Sequence, residues 1–496
     1  MSPFTKWLPS QQECGSDLIV QLAGGSIRGL EKARKAFERG ITRLGLEIGA
    51  QSRGEDLMNI PSVRLRISNA PIPSMGHGCD VLAYLGPRLP EGNPFGLQDR
   101  SVLLSESCRD EDSMSVGFPD GVIRYHVPFS ELNRACGSLR GKGLIAVGLL
   151  TKLLEIPKEI MRPWVRPHSG DSYFDAGFHF ASEHLHKKDV YGIPFPDTRS
   201  TRLLLNVDQS LLLGLGLENC RCDEACVERF LQEPGEDWMM SHARAAWQVV
   251  SPVRHPDDPS TASRLQGPHR HVTGVIGIPD PTILAAKTSN AQGVILVPAD
   301  VLDVFRLTSL ARFLRKDTIQ IAIDAGLFNC SQTVPSERFA ECIREAFHAN
   351  RNVLLQEGLL TQGLLAQREG EMPADVGFVA WGSTQGAVRE AIGLCRKFGM
   401  NVAALYPKVL WPFPADDLEA FAATVKQLVV VEPNRMGNLT RLIQGATPLH
   451  PLQIFPEVGR QLNLMDIFLK EGFPDIQHES KKNNMIRKEN RSQWNP

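Results

Sequence analysis

Asp375-Val-Gly-Phe-Val-Ala-Trp-Gly-Ser-Thr-Gln-Gly-Ala-Val-Arg-Glu-Ala-Ile392 decides the fold of this chain. Val376 to Trp381 is a short apolar run that ends in Gly382-Ser383-Thr384. After it, Ala387, Ala391, Ile392, Cys395 and Phe398 recur at helical spacing until Gly399 closes the pattern. The order is strand, tight turn, helix. Two more such units follow, with strands at Val402 to Leu405 and Leu428 to Val431 and helices at about Ala415 to Val425 and Asn438 to Gln444. Repeated strand–helix units build a parallel sheet, and contacts with ligands or partners then belong on the turns at its strand ends.

Working outward, Leu18 to Leu22, a glycine turn, a helix over about Leu30 to Leu44 and Val63-Arg-Leu-Arg-Ile67 form a first α/β layer. Asp80 to Leu85 and Ser101 to Leu104 read as further strands, and Leu144 to Ile156 as a buried helix. His168 to Arg202 is polar, aromatic and weakly periodic, which suits a linker or an irregular docking segment. A second region opens on Leu203 to Leu217 and closes on strand Val294 to Val297, a helix from about Val301 to Leu314 and strand Ile319 to Ile323, with Asp300 where a helix cap is wanted. Asp237 to Asp280 lacks periodicity and reads as a functional loop or degraded structure. The expected fold class is α/β: three α/β domains with mostly parallel sheets. The expected boundaries are 15–199 for the first domain plus linker, 200–334 for the second, a helical bridge over 335–372, a third domain over 373–472, and a disordered basic tail over 473–496.

Composition narrows the function. With 42% hydrophobic residues, 22% charged residues and a net charge of -2 over 496 residues, nothing in the overall balance points to nucleic acid or an anionic membrane. Met1 to Ser10 has neither a basic start nor an apolar core, and no apolar run approaches the roughly 18 residues a span requires. A cytoplasmic protein without nucleic-acid or membrane partners is expected. Ten scattered cysteines fit reduced thiols better than a disulfide scaffold.

Several motifs invite chemistry and mostly fail on detail. Gly24-Gly-Ser-Ile-Arg-Gly29 follows a strand, but Leu30 and Glu31 stand where a phosphate loop needs Lys and Ser or Thr, so a structural turn is expected. Cys220, Cys222 and Cys226 are three thiols where an iron–sulfur cluster wants four, and whether they bind anything stays open. His179, His184 and His186, and separately His269 and His271 near Asp257 and Asp258, show no metal-ligand spacing. No metal site is expected. The candidate ligand or partner contacts are Gly382, Ser383 and Thr384 at one strand end and Glu432, Asn434 and Arg435 at the next. Helix capping is an alternative for the hydroxyls, as is a salt bridge for Glu432 in place of acid–base work. Catalytic residues are not assigned.

At these residues the chain resembles the α-type subunit of the 2-oxoacid:ferredoxin oxidoreductases, especially the 2-oxoglutarate type in which a γ-like domain precedes α. Val379-Ala-Trp-Gly-Ser-Thr384, Arg389-Glu-Ala391, Trp411-Pro-Phe-Pro414 and Val430-Val-Glu-Pro-Asn-Arg-Met-Gly-Asn438 look like the family's transketolase-C-terminal-like domain. More faintly, Val63 to Ser68, Asp80 to Ala83, Tyr125 to Pro128 and Gly141 to Gly148 look like its γ domain. The middle resembles a shortened pyrimidine-binding domain without the family's Tyr-Pro-Ile-Thr-Pro-like turn or its Thr-Ser-Gly-Pro-Gly-like stretch. Ile193 to Thr198 lies on the wrong side of Leu203 to supply that turn.

The resemblance implies oxidative decarboxylation of a 2-oxoacid, 2-oxoglutarate for the type it is most similar to, to acyl-CoA with reduction of ferredoxin. It implies that this chain alone binds no cofactor, since thiamine diphosphate, Mg and an iron–sulfur cluster sit on a partner β-type subunit. Gly170-Asp-Ser172 is not followed by the asparagine pair that the magnesium motif requires. The missing turn leaves a rival from another class: a non-catalytic scaffold or regulatory subunit derived from the α chain.

Overall fold

A computed structural model describes residues 17–53, 60–106, 117–137, 141–165, 170–193, 202–216, 248–255, 258–266, 271–276, 293–311, 318–323, 327, 330–348, 366–397, 399–432, 437–455 and 467. The tail from 473, Asn434, Arg435, Phe398, Cys220, Cys222, Cys226, Asp257 and His269 lie outside them.

The N-terminal domain runs β1 (Asp17–Ala23), α1 (Ile27–Arg43), β2 (Glu47–Arg53), β3 (Ser62–Ser68), β4 (Cys79–Tyr84), β5 (Leu97–Ser105), β6 (Ile123–His126), α2 (Phe129–Ala135), α3 (Lys142–Leu153), α4 (Lys158–Met161) and α5 (Gly170–His184). β1, β4, β5 and β6 are parallel neighbours, while β3 and β2 extend the sheet antiparallel beyond β1. Alternation places Leu18, Val20 and Leu22 against α1 and α3 in a core completed by Phe37, Leu65 and Phe174. The opposite face of β3 carries Arg64 and Arg66, a pattern read in the sequence only as a strand.

α5 occupies Gly170–His184 of the stretch 168–202 expected to be a linker or irregular segment, while 185–193 has neither helix nor strand. Its periodicity is obscured because it packs on α3 through glycines as well as through side chains. A Cβ at Gly148 would lie 2.0 Å from the Phe174 carbonyl oxygen, and one at Gly177 equally close to that of Ile145. The two backbones touch, and Tyr173, Phe174 and Ala181 are buried.

The chain continues through β7 (Arg202–Asn206), α6 (Val207–Gly216), β8 (Gln248–His255), β9 (Asp258–Gln266), β10 (His271–Ile276), β11 (Gly293–Leu296), α7 (Val301–Ala311), β12 (Thr318–Ile323), β13 (Cys330–Pro335) and α8 (Ser336–His348). The expected division at 200 is not a division of sheets. β13 pairs with both β2 and β7, so the first sheet has eight strands in the order β6-β5-β4-β1-β3-β2-β13-β7. Arg202 fixes this edge by pairing with Glu47, whose other oxygen accepts from Thr333 Oγ1 at 2.7 Å. The stretch read as loop or degraded structure holds the β8–β9 hairpin and β10, which lies parallel to β12.

The last part comprises β14 (Ala366–Gly370), β15 (Ala374–Ala380), α9 (Thr384–Lys397), β16 (Val402–Pro407), β17 (Val409–Trp411), α10 (Ala415–Ala422), β18 (Val425–Val431), α11 (Asn438–Ala446) and β19 (Leu452–Ile454). Its sheet order is β14-β16-β15-β18-β19, parallel except at β14. The expected helical bridge over 335–372 is helical only over α8 among the described residues. Its end is β14, whose exposed polar residues gave no apolar period because the strand sits at an edge. α9 buries Ala387, Ala391, Ile392 and Cys395, the residues whose spacing predicts it. β17 leaves this domain and pairs antiparallel with β11, joining the middle sheet to the C-terminal domain.

Candidate functional site at the strand ends of the C-terminal sheet

β15, β18 and β19 are adjacent and parallel, so their carboxyl ends place Trp381, Glu432 and Ile454 side by side. Gly382 takes φ +57, which lets the chain turn from β15 straight into α9. Thr384, buried in the first turn of α9, does not cap that helix. Its hydroxyl donates to the Trp381 carbonyl at 2.5 Å and lies 3.3 Å from that of Val431, tying two strand ends together. Ser383 is half-buried between Gly382 and Thr384.

Glu432 is fully buried and does not face outward as an acid or base. Its carboxylate accepts from Leu439 N at 3.0 Å, from Thr440 N at 3.2 Å and from Thr440 Oγ1 at 2.9 Å. A carboxylate against the free N–H groups of a helix start is favourable in charge and in hydrogen bonding. Glu432 therefore anchors α11 to β18 across the segment that contains Asn434 and Arg435.

Beside this lies a buried polar cluster that sequence reasoning missed. Lys408, next to β17, reaches Asp303 at 2.5 Å and Gln385 Oε1 at 3.2 Å. Asp303 Oδ2 also accepts from Ala299 N at 3.0 Å, and Asp300 Oδ1 accepts from Asp303 N at 2.8 Å. Asp300 is the cap expected from the sequence, while Asp303 turns back to the N–H of the residue before Asp300. Burial works against ionisation of Asp303, but Lys408 offsets it and holds the carboxyl below its ordinary range. Asp300 is pushed up, by burial first and then by Asp303. Gln385 Nε2 and Trp381 Nε1 are buried without a hydrogen-bond partner. The cluster pins the C-terminal domain to α7 of the middle one.

The other candidates are dispersed. His179, His184 and His186 are exposed on and just after α5. Among the described residues, no group of three or more His, Cys, Asp or Glu side chains could hold a metal ion. Gly170-Asp-Ser172 is the first turn of α5, with Asp171 4.0 Å from Arg162. The glycine turn at Gly24 is filled by its own domain: φ is +73, and a Cβ would lie 2.7 Å from the Tyr84 ring. Ser26 caps α1 by accepting from Gly29 N. Cys79 and Cys395 are free thiols pushed up to about 12 by burial. No helix among the described residues is long and apolar enough to cross a membrane.

Residues 374–456, which hold this site, match the family model described as pyruvate:ferredoxin oxidoreductase core domain II. Subunit alpha of 2-oxoacid:ferredoxin oxidoreductase 2 from Aeropyrum pernix is 30% identical over 82 residues, covering 16% of this chain and 13% of the relative. Ketoisovalerate oxidoreductase subunit VorA from Pyrococcus furiosus is 37% identical over 106 residues, 19% of this chain and 26% of its own. The chain thus spans between 13% and 26% of the length of these curated relatives. A solved 2-oxoglutarate:ferredoxin oxidoreductase from Magnetococcus marinus, holding 2-oxoglutarate, coenzyme A and succinyl-CoA, shares the fold. It superposes with a TM-score of 0.66 at 19% identity, covering 91% of this chain and 98% of that one. The resemblance carried by Val379 to Thr384 and Val430 to Asn438 is borne out, and so is the α/β fold class.

Proposed function

We propose that this chain is the α-type subunit of a 2-oxoacid:ferredoxin oxidoreductase, with 2-oxoglutarate as the oxoacid. In the complex, the oxoacid is oxidatively decarboxylated to its acyl-CoA while ferredoxin takes the electrons. One observation carries the reading: the strand-end site lies within the matched residues 374–456 and is bound to the middle domain through β17 and Lys408. The shared fold over 91% of the chain supports the same order of domains.

A β-type subunit supplies thiamine diphosphate, Mg and the iron–sulfur cluster. The described residues of this chain do not fit the magnesium–diphosphate group, since Asp171 lies in a helical turn beside Arg162 and no acidic cluster accompanies it. At the strand-end site Glu432 and Asp303 serve as buried anchors, held by backbone N–H groups and by Lys408. The scaffold or regulatory reading is favoured by one feature, the missing Tyr-Pro-Ile-Thr-Pro-like turn before the middle sheet. Assembly is tested by co-expressing the full chain with a β-type chain and weighing the product by light scattering. A stoichiometric complex is expected; a chain that stays monomeric beside its partner contradicts both readings.

A further inference from the structure

Each face of α9 meets a different neighbour. Ala387, Ala391, Ile392 and Cys395 recur at helical spacing and lie against its own sheet. Gly386 and Glu390, one turn apart, meet segment 70–78 of the N-terminal domain. The Gly386 backbone lies against the Pro73 carbonyl, while Glu390 pairs with Arg66 on β3 and accepts from Ser74 Oγ at 2.7 Å. Ser74 Oγ accepts in turn from Gly76 N at 2.9 Å, and Arg66 is held on its other side by Asp17 at 2.5 Å. Segment 70–78 is itself fixed to the sheet beneath it. Arg64 donates to the carbonyls of Met75 at 2.9 Å and Gly78 at 2.6 Å, Arg66 to that of Ser74 at 2.9 Å, and Gln332 on β13 to that of Ile72 at 2.7 Å.

Gln385, the residue before Gly386, turns instead to the junction with the middle domain, where its Oε1 accepts from Lys408 at 3.2 Å. That junction leaves Gln385 Nε2 and Trp381 Nε1 buried without an acceptor. Both donors would be better off in water, and water reaches Gln385 only if the first turn of α9 moves. We propose that α9 is a restrained coupling element between the N-terminal domain and the strand-end site. The clasp of Pro73, Ser74 and Arg66 holds α9 where these donors stay unsatisfied, and its release lets the first turn shift and opens the contact with Lys408 and Asp303. Arg66 and Glu390 are thus positioning residues for Gln385. Coupling of this kind is reciprocal, so loosening the Lys408 end must loosen segment 70–78 as well.

The coupling lies within one chain, so it stands apart from the enzymatic reading. Hydrogen exchange of the full chain at one fixed pH tests it from both ends. Glu390→Ala should speed exchange of peptides covering 298–304, where the amides of Ala299 and Asp303 are hydrogen-bonded, roughly three- to tenfold, although the bonds of Glu390 are to the N-terminal domain. Glu390→Gln, which keeps an acceptor for Ser74 Oγ, should do so less. Gln385→Ala should speed exchange at 70–78 by a similar factor, although its hydrogen bond is to the middle domain. Protection of β4 should stay unchanged throughout. Exchange at 298–304 undisturbed in Glu390→Ala, exchange at 70–78 undisturbed in Gln385→Ala, or a rise that extends equally to β4, overturns it.

Discussion

Gly386 of α9 meets the carbonyl oxygen of Pro73 so closely that a Cβ there would lie 1.7 Å from it. No side chain fits without parting the two domains. Gly386→Ala should therefore cost at least about 1–3 kcal/mol, the range for overpacking a tight contact. Thermal unfolding together with exchange at 70–78 checks it. A wild-type melt with undisturbed exchange would mean that α9 and segment 70–78 are not in contact.

Glu432 separates an anchoring role from a catalytic one. Glu432→Ala leaves the N–H groups of Leu439 and Thr440 without their acceptor, at about 1–3 kcal/mol for each buried group. Glu432→Gln keeps one acceptor oxygen and should lose less. Denaturant midpoints should rank wild type, Gln, Ala. Equal stability of all three, with turnover of the complex abolished in both variants, would restore Glu432 as an acid or base.

Lys408→Met leaves Asp303 charged and unpaired between two domains, a loss of about 3–5 kcal/mol for a broken buried pair. Adding Asp303→Asn should recover part of it. Because Asp303 is held below its ordinary carboxylate range, its contribution is present above that range and disappears as pH falls through the lowered value. Urea melts of the two variants at neutral and acid pH measure both effects. A double variant no more stable than Lys408→Met would show that the pair is not coupled.

Asp80 has the opposite sign. Burial pushes its carboxyl up to about 6, although Ile19 N donates to it at 2.7 Å. The folded state thus holds this proton more tightly than the unfolded chain. The stability it confers is complete below about pH 4 and is lost as pH rises through about 6, on the order of 3 kcal/mol. Asp80→Asn, which keeps an acceptor for Ile19 N, should flatten that part of the stability–pH curve. An unchanged slope would place the titration elsewhere.

The C-terminal domain is legible in the sequence because each of its buried parallel strands is an apolar run and α9 carries a clean helical period from Ala387 to Cys395. α5 was hidden, since Gly177 stands where an apolar residue would continue the period of Tyr173, Phe174 and Ala181. The eight-stranded sheet was hidden as well, because β13 pairs with β2 by setting Cys330 opposite Gln51, a partnership across more than half of the chain that local pattern does not encode. At the site, the positions of Gly382, Thr384 and Glu432 at strand ends could be read, but their duties could not. Whether Glu432 faces solvent or the start of α11 depends on packing. Lys408 gave no signal because its partner Asp303 lies far away along the chain.

Reduction of a viologen dye by this chain reconstituted with a β-type partner is the direct test of the proposed 2-oxoacid:ferredoxin oxidoreductase. Dye reduction should require 2-oxoglutarate, coenzyme A and both chains together. No reduction with this chain, where the same β-type partner turns over with a full-length α chain, would contradict it.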